Sequence, residues 1–369
     1  MRPYAAKVDL TERERAVVAL LRRDPLIGSA AIAEALGTTR AAVNVHLSNL
    51  GKKGVIRGRG YVLSEDPAVV VVGGANIDVK ARSSRAALPA TSNPGTGTMS
   101  AGGVGRNIAE NLARLGTRTH LVAAIGSDGL GDQVLAATSA AGVHVEHVRR
   151  SARSTGTYTA VLDADGELVV AVADMAATDE LVPVQVDAAR DLVASAALVV
   201  LDGNLAAPTI RFALDLAATA GTRVLLDPVS VPKAELVAPL VAAPLWCVTP
   251  NRDELAALSG LPARTPRQVA RAAAALHARG VALVWVRLGA AGSLLSTADG
   301  ATELPAVPAE VVDVTGAGDA MLAAFCHAVL GGADPAAAAA YGHAAAALTV
   351  ASHHTVRPDL TDRLVRSLL

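Results

Sequence analysis

A chain of 369 residues that is 51% hydrophobic and 18% charged, with a formal net charge of −1, holds enough apolar material for a large core and more than one small domain. Aromatics make up only 2%, so that core has to be built mainly from Ala, Val and Leu, the composition of helices packed closely on a buried parallel sheet. Residues 1–10 carry no apolar stretch of signal length, and apolar runs elsewhere are broken by Asp, Gly or Pro before the ~18 residues a spanning helix needs, so a cytoplasmic protein is expected. Cys247 and Cys326 lie in apolar runs with no metal-ligand spacing and read as reduced structural thiols.

The charge is unevenly spread. Residues 1–64 hold 11 Lys/Arg against 5 Asp/Glu, or +6, and residues 65–369 hold 22 against 29, or −7. A basic end suggests a polyanionic partner. Within it, Thr11 to Leu21 predicts an N-capped helix with Glu14 at the third position and an apolar face, ended by Pro25. Ser29 to Leu36 predicts a second helix stopped at Gly37, and Arg40 to Leu50 a third with Val43, Leu47 and Leu50 inward. The stretch from Gly51 to Leu63 reads as a hairpin around Arg57 and Arg59. Three helices and a basic hairpin resemble the winged helix-turn-helix fold. That resemblance implies a recognition helix over Thr39 to Asn49, with Thr39, Arg40, Asn44 and His46 for duplex DNA and Arg57 and Arg59 on the wing. A dimerisation or capping module is the alternative.

The linker Ser64 to Pro67 closes this first domain, 1–64, and opens a second, 65–369. Ala68 to Val72 is a continuous apolar strand. Strand-like runs recur at 119–125, 197–201, 223–226 and 281–287 between Ala/Leu-rich helical stretches, the alternation of a doubly wound parallel α/β sheet. Runs 156–162 and 167–173 flank Asp163 to Gly166 and read as a β-hairpin outside that sheet, as a lid would be.

Asp313-Val-Thr315-Gly316-Ala317-Gly318-Asp319 precedes an apolar helical run. Glycines at a helix start let backbone N–H groups converge on an anion, and the helix dipole favours negative charge there. Asp319, in the first turn, is placed to accept a proton from an attacking hydroxyl; taken alone it could be an ordinary cap. Gly102-Gly103-Val104-Gly105-Arg106-Asn107 opens another helix, with no strand expected directly before it. A glycine turn of this kind is by itself weak evidence. Thr249-Pro250-Asn251-Arg252-Asp253-Glu254 could be simply a capped helix start.

Together, in this order, these motifs resemble the PfkB carbohydrate kinases over about 300 residues, from Ala68 onward. Val314 departs from the Thr of the usual pattern. The resemblance implies a ribokinase-like α/β fold with a small β lid, and Asp319 as catalytic base with Gly316, Ala317 and Gly318 forming the anion hole. It implies sugar recognition by Asn76, Asp78, Gly102, Gly103 and Asn107, with Asp78 on vicinal ribose hydroxyls. ATP would meet Asn251, Glu254, Arg287, Gly289, Gly292 and Thr315, with Mg²⁺ near Glu254 and Asn251 partly through water. A monovalent cation such as K⁺ near Asp313 and Thr315 is a further feature of many such kinases. Runs 74–79, 92–95 (Ser-Asn-Pro-Gly), 102–111, 174–175 and 227–230 resemble the pseudouridine kinase subgroup, which implies Ser92, Asn93 and Asp174 at the base edge. A homodimer is expected.

Overall fold

The computed structural model describes residues 10–56, 68–242 and 244–369. The chain separates into two compact units, residues 1–67 and 68–369.

In the first unit, α1 (Glu12–Arg23) is capped by Thr11, whose side chain accepts from Glu14 N while the Glu14 carboxylate accepts from Thr11 N. Two otherwise orphaned donors of the first turn are thereby satisfied. Glu14 is itself buried and paired with Lys53 at 2.8 Å. Helices α2 (Ser29–Ala35) and α3 (Arg40–Lys52) follow, and α3 runs two residues beyond the predicted Leu50 before ending. Val17, Leu21, Ile32, Val43 and Leu50 close a small core. The predicted wing residues Arg57 and Arg59 lie outside the described residues.

The second unit contains two sheets. Its strands are β1 (Val69–Val72), β2 (Asn76–Ser83), β3 (Gly95–Gly102), β4 (Thr119–Gly126), β5 (His144–Ser151), β6 (Thr157–Leu162) and β7 (Leu168–Asp174), followed by β8 (Leu198–Asp202), β9 (Arg223–Asp227), β10 (Cys247–Val248), β11 (Leu283–Arg287), β12 (Ser293–Thr297) and β13 (Gly300–Leu304). The large sheet has the order β13-β12-β11-β10-β9-β8-β1-β4-β5. It is parallel from β11 to β5, and the pair β12 and β13 adds an antiparallel edge that the sequence reading did not separate out. Val69–Val72 and Leu198–Leu201 are fully buried, which explains why central strands read as unbroken apolar runs.

The chain leaves β1 toward β4 on one side and returns to β8 on the other. The order therefore reverses at β1, and the crevice beyond the carboxyl ends of β1, β8 and β9 is where such sheets place ligands. Next to that crevice stands the small sheet β3-β2-β6-β7. The hairpin β6–β7 lies outside the parallel sheet as expected, and β2 and β3 complete it.

Candidate active site

Strand β3 ends directly at Gly102, so the glycine turn does follow a strand, contrary to expectation. That strand is hard to recognise because Gly95 to Ser100 are all exposed and offer no apolar alternation. From it the chain turns into α4 (Val104–Arg114), whose N-cap Gly103 has φ 99° and no side-chain cap. Gly105 and Gly73 approach so closely that a Cβ on Gly105 would lie 2.8 Å from the Gly73 Cα. Between them sits Asp202, at the end of β8. Its Oδ2 accepts from Gly74 N at 2.9 Å and Gly105 N at 2.8 Å. Sequence reasoning missed this residue. Its signal is a carboxylate ending a buried strand, in register with Asp227 at the end of β9.

Asp78, on β2, accepts from Asn76 Nδ2 at 2.8 Å through Oδ1. A Cβ on Gly102 would meet Asp78 Oδ2 at 2.2 Å, so the glycine keeps that oxygen accessible. Burial pushes the Asp78 carboxyl above its usual range, partly offset by Asn76.

The helix Ala317–Leu330 opens at Gly316, which has φ 80° and, again, no side-chain cap. A Cβ there would collide with Thr355 O at 2.0 Å, so both conformation and space demand glycine. Asp319 is buried in the first turn, and Asn107 Nδ2 donates to its Oδ2 at 2.9 Å. This bond joins the two glycine turns. Burial raises the Asp319 pKa to about 8, against the Asn107 donor and Arg287 and with the help of the Asp227 and Asp202 charges.

Arg287 lies beneath the same turn. Its Nη1 donates to Asp227 Oδ2 at 3.0 Å and its Nη2 to Glu254 Oε2 at 3.2 Å, and a Cβ on Gly318 would meet Nη1 at 2.5 Å. Asn251 caps the helix Arg252–Ser259, accepting from Glu254 N at 2.9 Å while Glu254 Oε2 accepts from Asn251 N at 2.8 Å. The Asn251 oxygen thus gives one of its two lone pairs to the cap. Among the described residues nothing donates to Glu254 Oε1. Val229, just past Asp227, has φ 68°, a strained conformation for a β-branched residue, in the turn where Asp227 Oδ1 accepts from its N–H.

Other predicted residues fall elsewhere. A Cβ on Gly292 (φ 90°) would lie 2.0 Å from Leu304 O, so the approach of β13 by itself demands glycine there, and Gly289 faces open space. Asp313 Oδ1 accepts from Thr315 N and its Oδ2 from Lys80 Nζ, both at 2.8 Å. Lys80, which the sequence reading did not single out, thereby ties the lid strand β2 to the loop before Gly316. Val314, the departure from the family pattern, is exposed. Asn93 is turned inward, donating to Leu88 O and Thr91 O and accepting from Leu88 N, while Ser92 and Asp174 are exposed. In the first unit Thr39 caps α3, Arg40 donates to Ser29 Oγ, Asn44 is exposed and His46 is half-buried.

A doubly wound sheet with a separate β lid and two facing glycine-led helix starts defines the ribokinase-like class of α/β kinases. Residues 66–362 match the pfkB family carbohydrate kinases, and residues 10–57 match a winged helix-turn-helix DNA-binding domain. The uncharacterized sugar kinase YeiI of Escherichia coli (strain K12) is 36% identical over 95% of this chain and 97% of its own length. The pseudouridine kinase of the same organism is 33% identical over 83% of this chain and 98% of its own. The solved Arabidopsis thaliana ribokinase, complexed with ribose and ATP, superposes with a TM-score of 0.73 at 29% identity, covering 82% of this chain and 99% of that one. The chain belongs to the pfkB family of carbohydrate kinases and carries a winged helix-turn-helix segment ahead of the kinase domain. Among the described residues no helix is long and apolar enough to cross a membrane.

Proposed function

We propose that this chain transfers the terminal phosphoryl group of ATP to the 5'-hydroxyl of a ribose-type nucleoside, pseudouridine being the preferred substrate. The observation that carries the reading is the bond between Asn107 and Asp319, because it brings a sugar-facing turn and a helix opening suited to phosphoryl groups to one carboxylate. Asp78 Oδ2 and Asn107 hold ribose hydroxyls, and Asp319 takes the proton of the 5'-hydroxyl as its oxygen bonds to the γ-phosphorus and the bond from that phosphorus to the ADP oxygen breaks. The uncapped N–H groups of Gly316, Ala317 and Gly318 stabilise the charge on the transferring group. Asp202 and Arg287 act on the site indirectly, the first by joining Gly74 to Gly105 and the second by holding Asp227 and Glu254 under the turn.

Glu254 Oε1 suits a Mg²⁺ ion held partly through water, which when bound neutralises phosphate charge. Asn251, with one lone pair of its oxygen in the cap, is placed to meet the ion through water. A K⁺ ion at Asp313 and Thr315 has to displace the Lys80 ammonium, so the pair does not fit such an ion in this arrangement.

Pseudouridine is favoured over ribose by the subgroup-like runs around Ser92 and Asp174, together with the 33% identity to a pseudouridine kinase. Ser92 and Asp174 are the side chains for the base edge, and Asn93 holds the Ser92 loop. A coupled assay of ADP formation with pseudouridine, uridine, ribose and fructose tests this. The expected result is the highest kcat/KM for pseudouridine, and a higher value for ribose or fructose overturns the specificity.

The exposed Leu168, Val169, Val170 and Val172 of β7 favour a homodimer through the small sheet, which light scattering of the full chain checks. The first unit is proposed to bind duplex DNA through Arg40, Asn44 and His46 on α3, with Arg57 and Arg59 adding phosphate contacts. Fluorescence anisotropy with upstream DNA at several salt concentrations should give tighter binding by the full chain than by residues 65–369, with affinity falling as salt rises. Equal affinity of the two assigns the unit to packing or dimerisation.

A further inference from the structure

At the opposite end of the large sheet from the catalytic carboxylates, two histidines stand side by side. His120 is the second residue of β4 and His144 the first of β5, and the two are partners across the strands, with a shift of register directly after them that takes in Glu146. Their rings stack with centroids 4.4 Å apart and 18° between planes. Glu146, two residues further along β5, brings its Oε1 to 3.5 Å from His144 Nδ1. One ligand atom from each of the three lies within 4.8 Å of the others.

A second observation concerns His120 alone. It is only 7% exposed, and its Nε2 is buried with no hydrogen-bond partner among the described residues. A buried ring nitrogen left unpaired costs about 1–3 kcal/mol, so such an atom calls for an explanation. Neither the phosphoryl-transfer site nor the core supplies one, since the kinase residues lie at the carboxyl ends of β1, β8 and β9.

We propose that His120, His144 and Glu146 form a binding site for a divalent transition-metal ion of borderline softness, such as Zn²⁺. Two imidazoles and one carboxylate, with a fourth position left to water, are a familiar Zn²⁺ donor set, whereas Mg²⁺ and Ca²⁺ prefer oxygen alone. Zn–N and Zn–O bonds are about 2.0–2.2 Å, so the ligand atoms must draw closer than they stand, which the exposed Glu146 and half-buried His144 can do by side-chain rotation. Burial, with Arg118 nearby, holds the His120 pKa down and favours the neutral ring that ligates. Arg118 and His147 oppose a cation electrostatically, and the Glu146 charge offsets them. Because β5 is the edge of the nine-stranded sheet, an ion here fastens that edge strand to β4. Its effect falls on that edge strand, away from the phosphoryl-transfer site.

The test uses the full chain without a histidine tag, stripped of metal by a chelator and titrated with ZnCl₂ by calorimetry. Buried thiols at Cys247 and Cys326, with pKa values raised by burial, do not compete. The expected result is one Zn²⁺ per chain, with binding weakened by ~10-fold or more in H144A and E146Q, on the scale seen when groups supporting a metal are removed. Zn²⁺ should also raise the melting temperature of the wild type and not that of H144A, since an ion that binds only the folded state stabilises it by mass action. The substitutions fall on a half-buried and an exposed side chain of an edge strand, so folding should survive them, and ADP formation should be unchanged. Binding that is equally tight in H144A and wild type, or no binding at micromolar Zn²⁺, overturns the proposal.

Discussion

Three helices begin around Arg287 and Asp319, and they begin in two different ways. The helix Arg252–Ser259 satisfies its own first turn, with Asn251 and Glu254 bonding each other's backbone. Helix α4 and the helix Ala317–Leu330 start at glycines with positive φ and have no side-chain cap. A capped start spends its donors on stability, whereas an uncapped one leaves N–H groups and the positive end of the dipole for a ligand. The two uncapped starts are the ones joined through Asn107 and Asp319, so in the proposed mechanism the contrast separates a helix that holds the site from helices that work in it.

The largest effect should come from D319N, which keeps the shape and the bond from Asn107 but removes the proton acceptor. Turnover should fall by roughly 10²–10⁴ with nucleoside binding retained, as measured by steady-state kinetics alongside calorimetry. Wild-type turnover in that variant would move the proton elsewhere. Next, D78A should raise KM and lower kcat together, by up to about 10² in kcat/KM, because the carboxylate both binds the sugar and orients the attacking hydroxyl. If 2'-deoxy analogues react as well as ribosides, Asp78 is not a diol clamp.

A subtler signature is pH. With its folded pKa at about 8 against an ordinary 3.8, Asp319 becomes a base only as pH rises through that value, so kcat/KM should climb toward pH 8. The same shift means that the folded state binds this proton more tightly than the unfolded one. The stability contributed is full below pH 4 and lost as pH rises to about 8, and D319N should flatten that decline in melting temperature. A decline equally steep in D319N assigns it to other groups. The smallest effect belongs to the capped helix, where N251A should cost about 1 kcal/mol of stability with a lesser loss of turnover than D319N.

What the sequence revealed follows the same physics. Strands β1, β4, β8 and β9 were legible because burial on both faces makes them continuous apolar runs. The lid strand β3 (Gly-Thr-Gly-Thr-Met-Ser-Ala-Gly) was not, since its exposed, glycine-rich run carries no apolar alternation; β2 (Asn-Ile-Asp-Val-Lys-Ala-Arg-Ser) does alternate through Ile77, Val79 and Ala81, a signal that the sequence reading passed over. Asp319, Asn107 and Asp78 were readable as motif positions. Asp202 and Lys80 were not, because each acts through partners 97 to 233 residues away that no local pattern announces. The motif Asn251-x-x-Glu254, read both as a capped helix start and for its ligand, puts two of its four polar side-chain atoms on its own helix.

The central claim is that two facing uncapped helix starts deliver a phosphoryl group to the primary hydroxyl of a ribose. The most direct test is to incubate the full chain with Mg·ATP and pseudouridine and locate the phosphate in the product by phosphorus–proton coupling in nuclear magnetic resonance. Coupling of the new phosphorus signal to the two protons on the 5' carbon is the predicted result. Phosphate on a secondary hydroxyl, or ADP and free phosphate with the nucleoside unchanged, would contradict it.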